Sequence, residues 1–348
     1  MKDVKMANDV NKHGLTRYIP SEVKRAVRKR CGFGCIKCGS AVYQYEHFDP
    51  EFEDAMEHTA QGITLLCGGC HNKKTTGWAS SQGVAQANRK PKCLRLGFAS
   101  EVFEVSVQPP TIYLGGVSAR DVDTILEIEG ERVLWVEPPE ETGASYRINA
   151  NFLREDGQPL LSIEDNEWKT PTDNWDVTTI AGRITIRSKK NRIELALRTI
   201  PPSELRIERL KAFHRGWIID AEMDKDVIFS RKDVVHRTSG IRAYRVETMI
   251  SIGENFLEVP RGMKPGGWAH IREMVIGSDD SAQPSKRKAS VDFDAPLPSP
   301  NPFALPLRPY QPGGSIFLYL NPISPCPCGS GRSFGLCHRG NEVHQMAH

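Results

Sequence analysis

The chain has 348 residues, room for two or three domains at ~100–200 residues each; at 39% hydrophobic and 26% charged it has the composition of a packed globular protein, not a fibrous or disordered one. Its net charge of +3 is unevenly spread: residues 1–100 carry 16 Lys and Arg against 9 Asp and Glu, whereas residues 101–275 carry 24 against 29, so a polyanionic partner is expected at the N-terminal end. No apolar run reaches the ~18–20 residues of a membrane span, and residues 1–13 lack the apolar centre of a signal peptide, so no membrane partner and a cytoplasmic location are expected.

Residues 1–16 read as a loose polar arm. A helix is expected after Pro20, with Ser21 as its N-cap, Val23, Ala26 and Val27 on its apolar face and Gly32 at its end. Lys24, Arg25, Arg28 and Lys29 cover the rest of that helix and suit sequence-independent phosphate contacts; the plain alternative is a solvated helix face. Lys73 and Lys74 extend the same basic set.

Nine cysteines follow a pattern that suits metal better than disulfides: Cys35/Cys38, Cys67/Cys70 and Cys326/Cys328 are three tight pairs. Such usage fits a reducing compartment. Two Cys-x-x-Cys knuckles about 30 residues apart can close a tetrahedral, structural Zn²⁺ site from Cys35, Cys38, Cys67 and Cys70. Cys31 and Cys93 remain as ordinary thiols. Between the knuckles stand Tyr45-Glu46-His47 and the apolar run Ile63-Thr64-Leu65-Leu66, and Cys70 is followed at once by His71, Asn72, Lys73 and Lys74.

From Arg17 to Thr76 this order resembles the HNH endonuclease family, the ββα-metal nucleases. The resemblance implies a module over residues 17–86 in which His47 is the general base and Glu46 and His71 hold one catalytic Mg²⁺ or Mn²⁺, with Glu46 where the family more often has Asp. The residue types fit the chemistry, since phosphodiester hydrolysis needs an activated water and a cation beside the phosphate, and a His titrates near neutrality. Singly, each His is more often a surface or core residue; the constellation carries the reading. One position departs from the family: Gly62 stands where an Asn is usual, five residues before the second knuckle. Either His58 or a backbone group supplies the missing contact, or the module keeps only its zinc and its nucleic-acid surface.

Residues 77–99 read as part helix, part linker. Residues 100–275 read as a β-rich domain, a sandwich or barrel, because Ile184/Ile186 and Ile193/Leu195/Leu197 alternate with polar residues and turn residues recur every ~8–12 positions. Leu205 to Phe213 suits a short helix or a strand equally. Trp168 and Trp175, in Asn-rich turns, are expected to pack, and His214, His236 and His270 receive no role. Residues 276–320, rich in Pro and Ser, read as a flexible linker.

In residues 321–341, Cys326-Pro-Cys328 and Cys337-His338 flank Gly329-Ser330-Gly331, which lets the backbone turn around a metal. This closely resembles the SEC-C motif, a small zinc knuckle; three thiolates and an imidazole close a second structural Zn²⁺ site that does no hydrolysis. An interaction role toward protein or nucleic acid follows. The fold expected is thus α+β and multidomain: a zinc-stapled ββα-metal module, a mostly-β domain, a linker and a terminal knuckle. The function expected is metal-dependent cleavage of DNA or RNA, as in a restriction or anti-phage defence effector. The alternatives are a non-catalytic, zinc-dependent nucleic-acid-binding or adaptor protein, and a ligand sensor in the β domain with the N-terminal module as its output.

Overall fold

The computed structural model describes residues 10–254, 256–276 and 316–318. They divide into two compact units. One contains the described residues up to Val102 together with Glu167–Ile193; the other contains Phe103–Asn166 and the described residues from Glu194 onward. Among the described residues, no helix is long and apolar enough to cross a membrane.

The first unit opens with α1 (Ser21–Cys31), then a hairpin of β1 (Gln44–His47) and β2 (Ile63–Leu66), then α2 (Gly68–Thr75), α3 (Ser81–Arg89), α4 (Lys92–Leu96) and β3 (Phe98–Val102). Ser21 is the first helical residue of α1, not its cap: Pro20 holds the cap position, its carbonyl accepts from the Lys24 N–H at 2.9 Å, and no side chain caps the end. The fixed φ of proline starts the helix without a hydroxyl. Val27 and Cys31 are buried and Val23 partly so, while Ala26 is exposed, so the apolar face runs at i, i+4, i+8 and packs on Ile63, Leu65 and Leu66 of β2. Gly32 ends the helix at φ 71°, and a Cβ there would also lie 2.9 Å from the Cys93 Cβ.

Residues 77–99 are largely helical, with a short connection before α3. Ser80 caps α3 by accepting the Gly83 N–H at 3.0 Å, and Gly97, at φ 83°, ends α4. The arm is not loose over its described part either: Asn11 is buried, and Val10 bridges Thr16 across a tight turn.

The chain then enters the second unit for β4 (Thr111–Leu114), β5 (Val117–Ile128), β6 (Glu131–Glu137), β7 (Arg147–Leu153) and β8 (Pro159–Glu164), and returns to the first as β9 (Glu167–Pro171), β10 (Asp176–Ile180) and β11 (Arg183–Lys189). There β9 pairs with β3, and β10 with β11, both antiparallel. The expected β-rich block is therefore shared between the units, because the partner of β9 is a strand some 65 residues earlier that no local pattern reveals.

The second unit resumes within β12 (Arg192–Ile200), at Glu194, and continues with β13 (Glu204–His214), β14 (Trp217–Glu222), β15 (Val227–Arg231), β16 (Val234–Ser239), β17 (Ile241–Ile252), β18 (Leu257–Glu258), β19 (Arg261–Ile271), β20 (Glu273–Val275) and β21 (Ile316–Leu318). Residues 205–213 are strand, as part of β13. In order, β4, β5, β6 and β7 pair antiparallel, β7 meets β13 at Leu153 and Phe213, and β13 pairs parallel with β4, so five strands close a ring. Ring closure removes the open edges of a small sheet, and its inward residues, among them Ile112, Leu126, Leu134, Phe152, Ile207 and Leu210, are fully or almost fully buried. Outside the ring, β17 runs parallel to β5 from Val117 to Ile128. The second unit is thus a barrel with added strands rather than a sandwich.

Candidate metal centre and candidate active site

The thiols of Cys35, Cys38, Cys67 and Cys70 converge, with all four sulfurs within 4.8 Å of one another and Cys38 Sγ 3.5 Å from Cys67 Sγ. Tetrahedral zinc with Zn–S bonds of about 2.3 Å places its sulfurs about 3.8 Å apart, so the set fits the ion. Local structure delivers them. Gly39 N–H bonds the Cys35 carbonyl at 2.9 Å to make the first knuckle turn, and Cys67 caps α2, its sulfur accepting from the Cys70 N–H at 3.4 Å. Without a cation the cluster resists ionisation: burial, together with neighbouring thiols, pushes Cys38 up to about 11 and Cys70 higher still. At Cys67 burial also raises the thiol, but the hydrogen bonds it accepts from the Cys70 N–H and from nearby sulfurs outweigh that and lower it. A divalent ion is what would let all four be thiolates at once.

Cys31 and Cys93 lie outside this set. Cys31 contacts Thr64 Oγ1 at 3.6 Å, and the Cys93 thiol donates to the Gly39 carbonyl at 3.4 Å, packing against the turn that carries Cys35 and Cys38.

Beside the zinc-fitting cluster, the β1–β2 hairpin leads directly into α2. The register pairs Glu46 with Thr64 and His47 with Ile63. Successive side chains of a strand point to opposite faces, and Glu46 and His47 accordingly enter separate networks. Glu46 Oε2 lies 3.0 Å from His71 Nε2, and its Oε1 accepts from Lys74 Nζ at 2.7 Å. Lys74 also reaches Glu51 at 3.2 Å, and Glu51 accepts from Ser81 Oγ at 3.1 Å. Burial works against the Lys74 charge, but the hydrogen bonds to Glu46 and Glu51 outweigh it and hold its pKa above the ordinary value. Two cis ligands of an octahedral ion with ~2.1 Å bonds stand about 3.0 Å apart, so the Glu46–His71 spacing is that of such a ligand pair as well as that of a hydrogen bond.

His47 Nε2 lies 3.0 Å from His58 Nδ1, and His58 Nε2 lies 2.9 Å from the Thr16 carbonyl. The Phe52 ring meets the His47 ring edge-on at 5.3 Å. Burial, and then the neighbouring His58, hold the His47 pKa below its ordinary value, which keeps the ring neutral at pH 7. The loop between the strands closes on Gly62, whose carbonyl accepts from the Phe48 and Asp49 N–H groups at 3.0 and 3.4 Å. A Cβ at position 62 would lie 2.5 Å from the Asp49 carbonyl oxygen, so neither Asn nor any other side chain fits there.

The basic helix departs from its expected role. Arg28 is buried at 8% exposure and donates through Nε and Nη2 to the two Asp176 oxygens at 2.8 and 2.7 Å and through Nη1 to the Tyr45 hydroxyl at 2.7 Å. Such an arginine cannot grip a phosphate without breaking a buried ion pair. Lys29 Nζ donates to the Thr172 and Asn174 carbonyls at 3.1 and 2.7 Å, and the Arg25 guanidinium stacks on Trp175 at 4.4 Å. These side chains hold the 172–176 loop of the same unit. Lys24 is half-buried, its ammonium over the Tyr18 ring at 5.3 Å and the Tyr45 ring at 5.8 Å, and Lys73 is exposed.

Sequence reasoning missed Asn11, Thr16, Glu51 and Asp176. Only Asp176 left a signal, as an acid in a Trp- and Asn-rich turn. Cys326, Cys328, Cys337 and His338 lie outside the described residues.

A family model for the SEC-C motif matches residues 324–340, which include all four of these terminal ligand positions. The chain therefore carries a SEC-C motif at its C-terminal end, and with the four-cysteine cluster it has two sets of residues suited to zinc. No curated protein and no solved structure matches the chain.

Proposed function

We propose that this protein is an HNH-type, metal-dependent endonuclease that hydrolyses phosphodiester bonds in DNA or RNA. The observation that carries this reading is a single one: a β-hairpin runs into a helix on a four-cysteine cluster and there sets Glu46 Oε2 3.0 Å from His71 Nε2, with a neutral His47 on the adjacent strand position. Zinc on the four cysteines would serve structure alone, since its coordination is full. Glu46 and His71 would hold Mg²⁺ or Mn²⁺, which when bound neutralises charge on the scissile phosphate. His47 takes the proton of the attacking water. Lys74 orients Glu46 through their 2.7 Å hydrogen bond, while Lys24 and Lys73 meet the nucleic-acid backbone. The SEC-C motif would hold the second zinc on Cys326, Cys328, Cys337 and His338 and act as an interaction module.

The test is plasmid cleavage with added Mg²⁺ or Mn²⁺ by zinc-loaded wild type and His47→Ala. General-base catalysis contributes about 10²–10⁴-fold, so nicking should fall by that order in the variant. Equal activity in both would remove His47 from the chemistry.

A second reading has its own observation. Lys74 already neutralises Glu46 at 2.7 Å, and a carboxylate so paired is a weaker metal ligand. On that reading the module binds nucleic acid without cutting it, and binding survives both His47→Ala and metal removal from the Glu46–His71 position.

A further inference from the structure

We propose that the N-terminal segment 11–17 is a positioning clasp that fixes, through His58, the tautomer of His47, so that Nδ1 is the proton acceptor. This rests on the reading of His47 as a general base. A backbone carbonyl only accepts hydrogen bonds, so His58 Nε2, 2.9 Å from the Thr16 oxygen, carries the proton. When the ring carries that one proton only, His58 Nδ1 is an acceptor. The contact of 3.0 Å to His47 Nε2 is then a bond that His47 donates. A singly protonated His47 that donates from Nε2 has its lone pair on Nδ1, and Nδ1 takes no hydrogen bond among the described residues. The opposite tautomer of His47 would set two lone pairs against each other across 3.0 Å.

The Thr16 carbonyl is itself held in place. Asn11 Oδ1 accepts from the His13 and Leu15 N–H groups, both at 2.9 Å, and the Asn11 N–H donates to the Leu15 carbonyl at 2.9 Å. Asn11 Nδ2 reaches across to the Phe52 and Ala55 carbonyls at 2.5 and 2.6 Å, in the loop that also carries His58. Lys12 pairs with Asp54, and the Arg17 guanidinium lies 4.4 Å from the centre of the Phe52 ring, whose edge meets His47. One short segment therefore grips both partners of the base, His58 by a carbonyl and Phe52 by Asn11 and Arg17. It does so in a module where position 62 has no room for a side chain. His58, Asn11 and Thr16 are positioning residues and touch no reacting atom.

The experiment reads the tautomer directly. Full-length, zinc-loaded protein is labelled with ¹⁵N-histidine, and long-range ¹H–¹⁵N correlations are recorded, with His47 assigned by loss of its signals in His47→Gln. Wild type should show His47 protonated at Nε2 only. His58→Ala should give a mixture of tautomers and a fall in cleavage of ten-fold or more. His58→Asn should restore both, because its Oδ1 stands where His58 Nδ1 stands. Asn11→Ala should loosen the tautomer without touching either ring. If wild-type His47 carries its proton on Nδ1, or if its tautomer is the same in His58→Ala and Asn11→Ala as in wild type, the clasp is disproved, and the wild-type measurement needs no variant to fold. A fixed, His58-dependent tautomer in a protein that cleaves nothing would support the clasp and sink the nuclease reading instead.

Discussion

At Gly62 a single missing side chain decides between two histories of the site. The Asp49 carbonyl oxygen lies 2.5 Å from where a Cβ would stand, and the Gly62 carbonyl closes the loop on the Phe48 and Asp49 N–H groups. Gly62→Asn, which restores the residue usual in the family it resembles, should therefore lower stability by about 1–3 kcal/mol, the usual cost of overpacking, and lower cleavage as well; a thermal melt and the plasmid assay check this, and a gain of activity would contradict it. A second buried residue speaks to pH. His236 is 1% exposed, neither ring nitrogen has a hydrogen-bond partner among the described residues, and the ring stacks on Trp217 at 5.3 Å. Burial lowers its pKa below the ordinary 6.5. The unfolded chain then binds the proton more readily than the folded one, so the stability it supports is complete above about pH 6.5 and drains away as pH falls from there toward the folded value. Melting temperatures taken from pH 7.5 to 5.5 should decline in wild type and decline less in His236→Leu; identical slopes would exclude His236 as a source.

At the scale of elements, α1 shows why charge in a sequence misleads. Its basic residues read as a phosphate-facing row, yet Arg28 meets Asp176 almost 150 positions away, and Lys29 and Arg25 hold the loop before it. The spacing of Val23, Val27 and Cys31 makes the helix legible, but which of its charges find partners depends on a strand that returns from the other side of the chain. The same holds for β9, whose partner β3 no local pattern reveals. The knuckles were legible because both halves of each ligand pair sit on one turn. The arm was misread because polarity alone suggests disorder, and nothing in its sequence shows that Asn11 satisfies its amide on a loop about 40 residues later. A pair of variants separates the two kinds of cation. Asp176→Ala leaves a buried guanidinium unpaired and should cost about 3–5 kcal/mol, read by denaturant titration. Lys73→Ala should leave stability within about 0.5 kcal/mol but weaken DNA binding and reduce the dependence of log K on log salt by about one phosphate contact. A stable Asp176→Ala protein, or a Lys73→Ala protein with unchanged salt slope, would reverse these assignments.

At the scale of the whole molecule, the two units rest on different means of stabilisation. The first has a small apolar core around Val27, Ile36, Ile63 and Leu65, and Cys35 belongs to that core and to the four-sulfur cluster at once. A metal there would tie the turn after α1 to the start of α2, and without it four crowded thiols stand where the hairpin and helix meet. The second unit closes a ring of five strands over its own core and contains no cysteine among its described residues. A strong chelator should therefore abolish the melting transition of the first unit and leave the β-sheet signal of the second. Zinc content sharpens the test. Wild type should hold two ions per chain, one on the four-cysteine cluster and one on the SEC-C motif. Cys67→Ser with Cys70→Ser should lose one ion together with the first transition, whereas Cys326→Ser with Cys328→Ser should lose one ion and leave both transitions in place. If the first transition survives chelation, the four sulfurs do not carry the fold of this unit. The packing of α1 on β2 and the Arg28–Asp176 pair would then be its main supports, and Asp176→Ala would be expected to unfold it with or without metal.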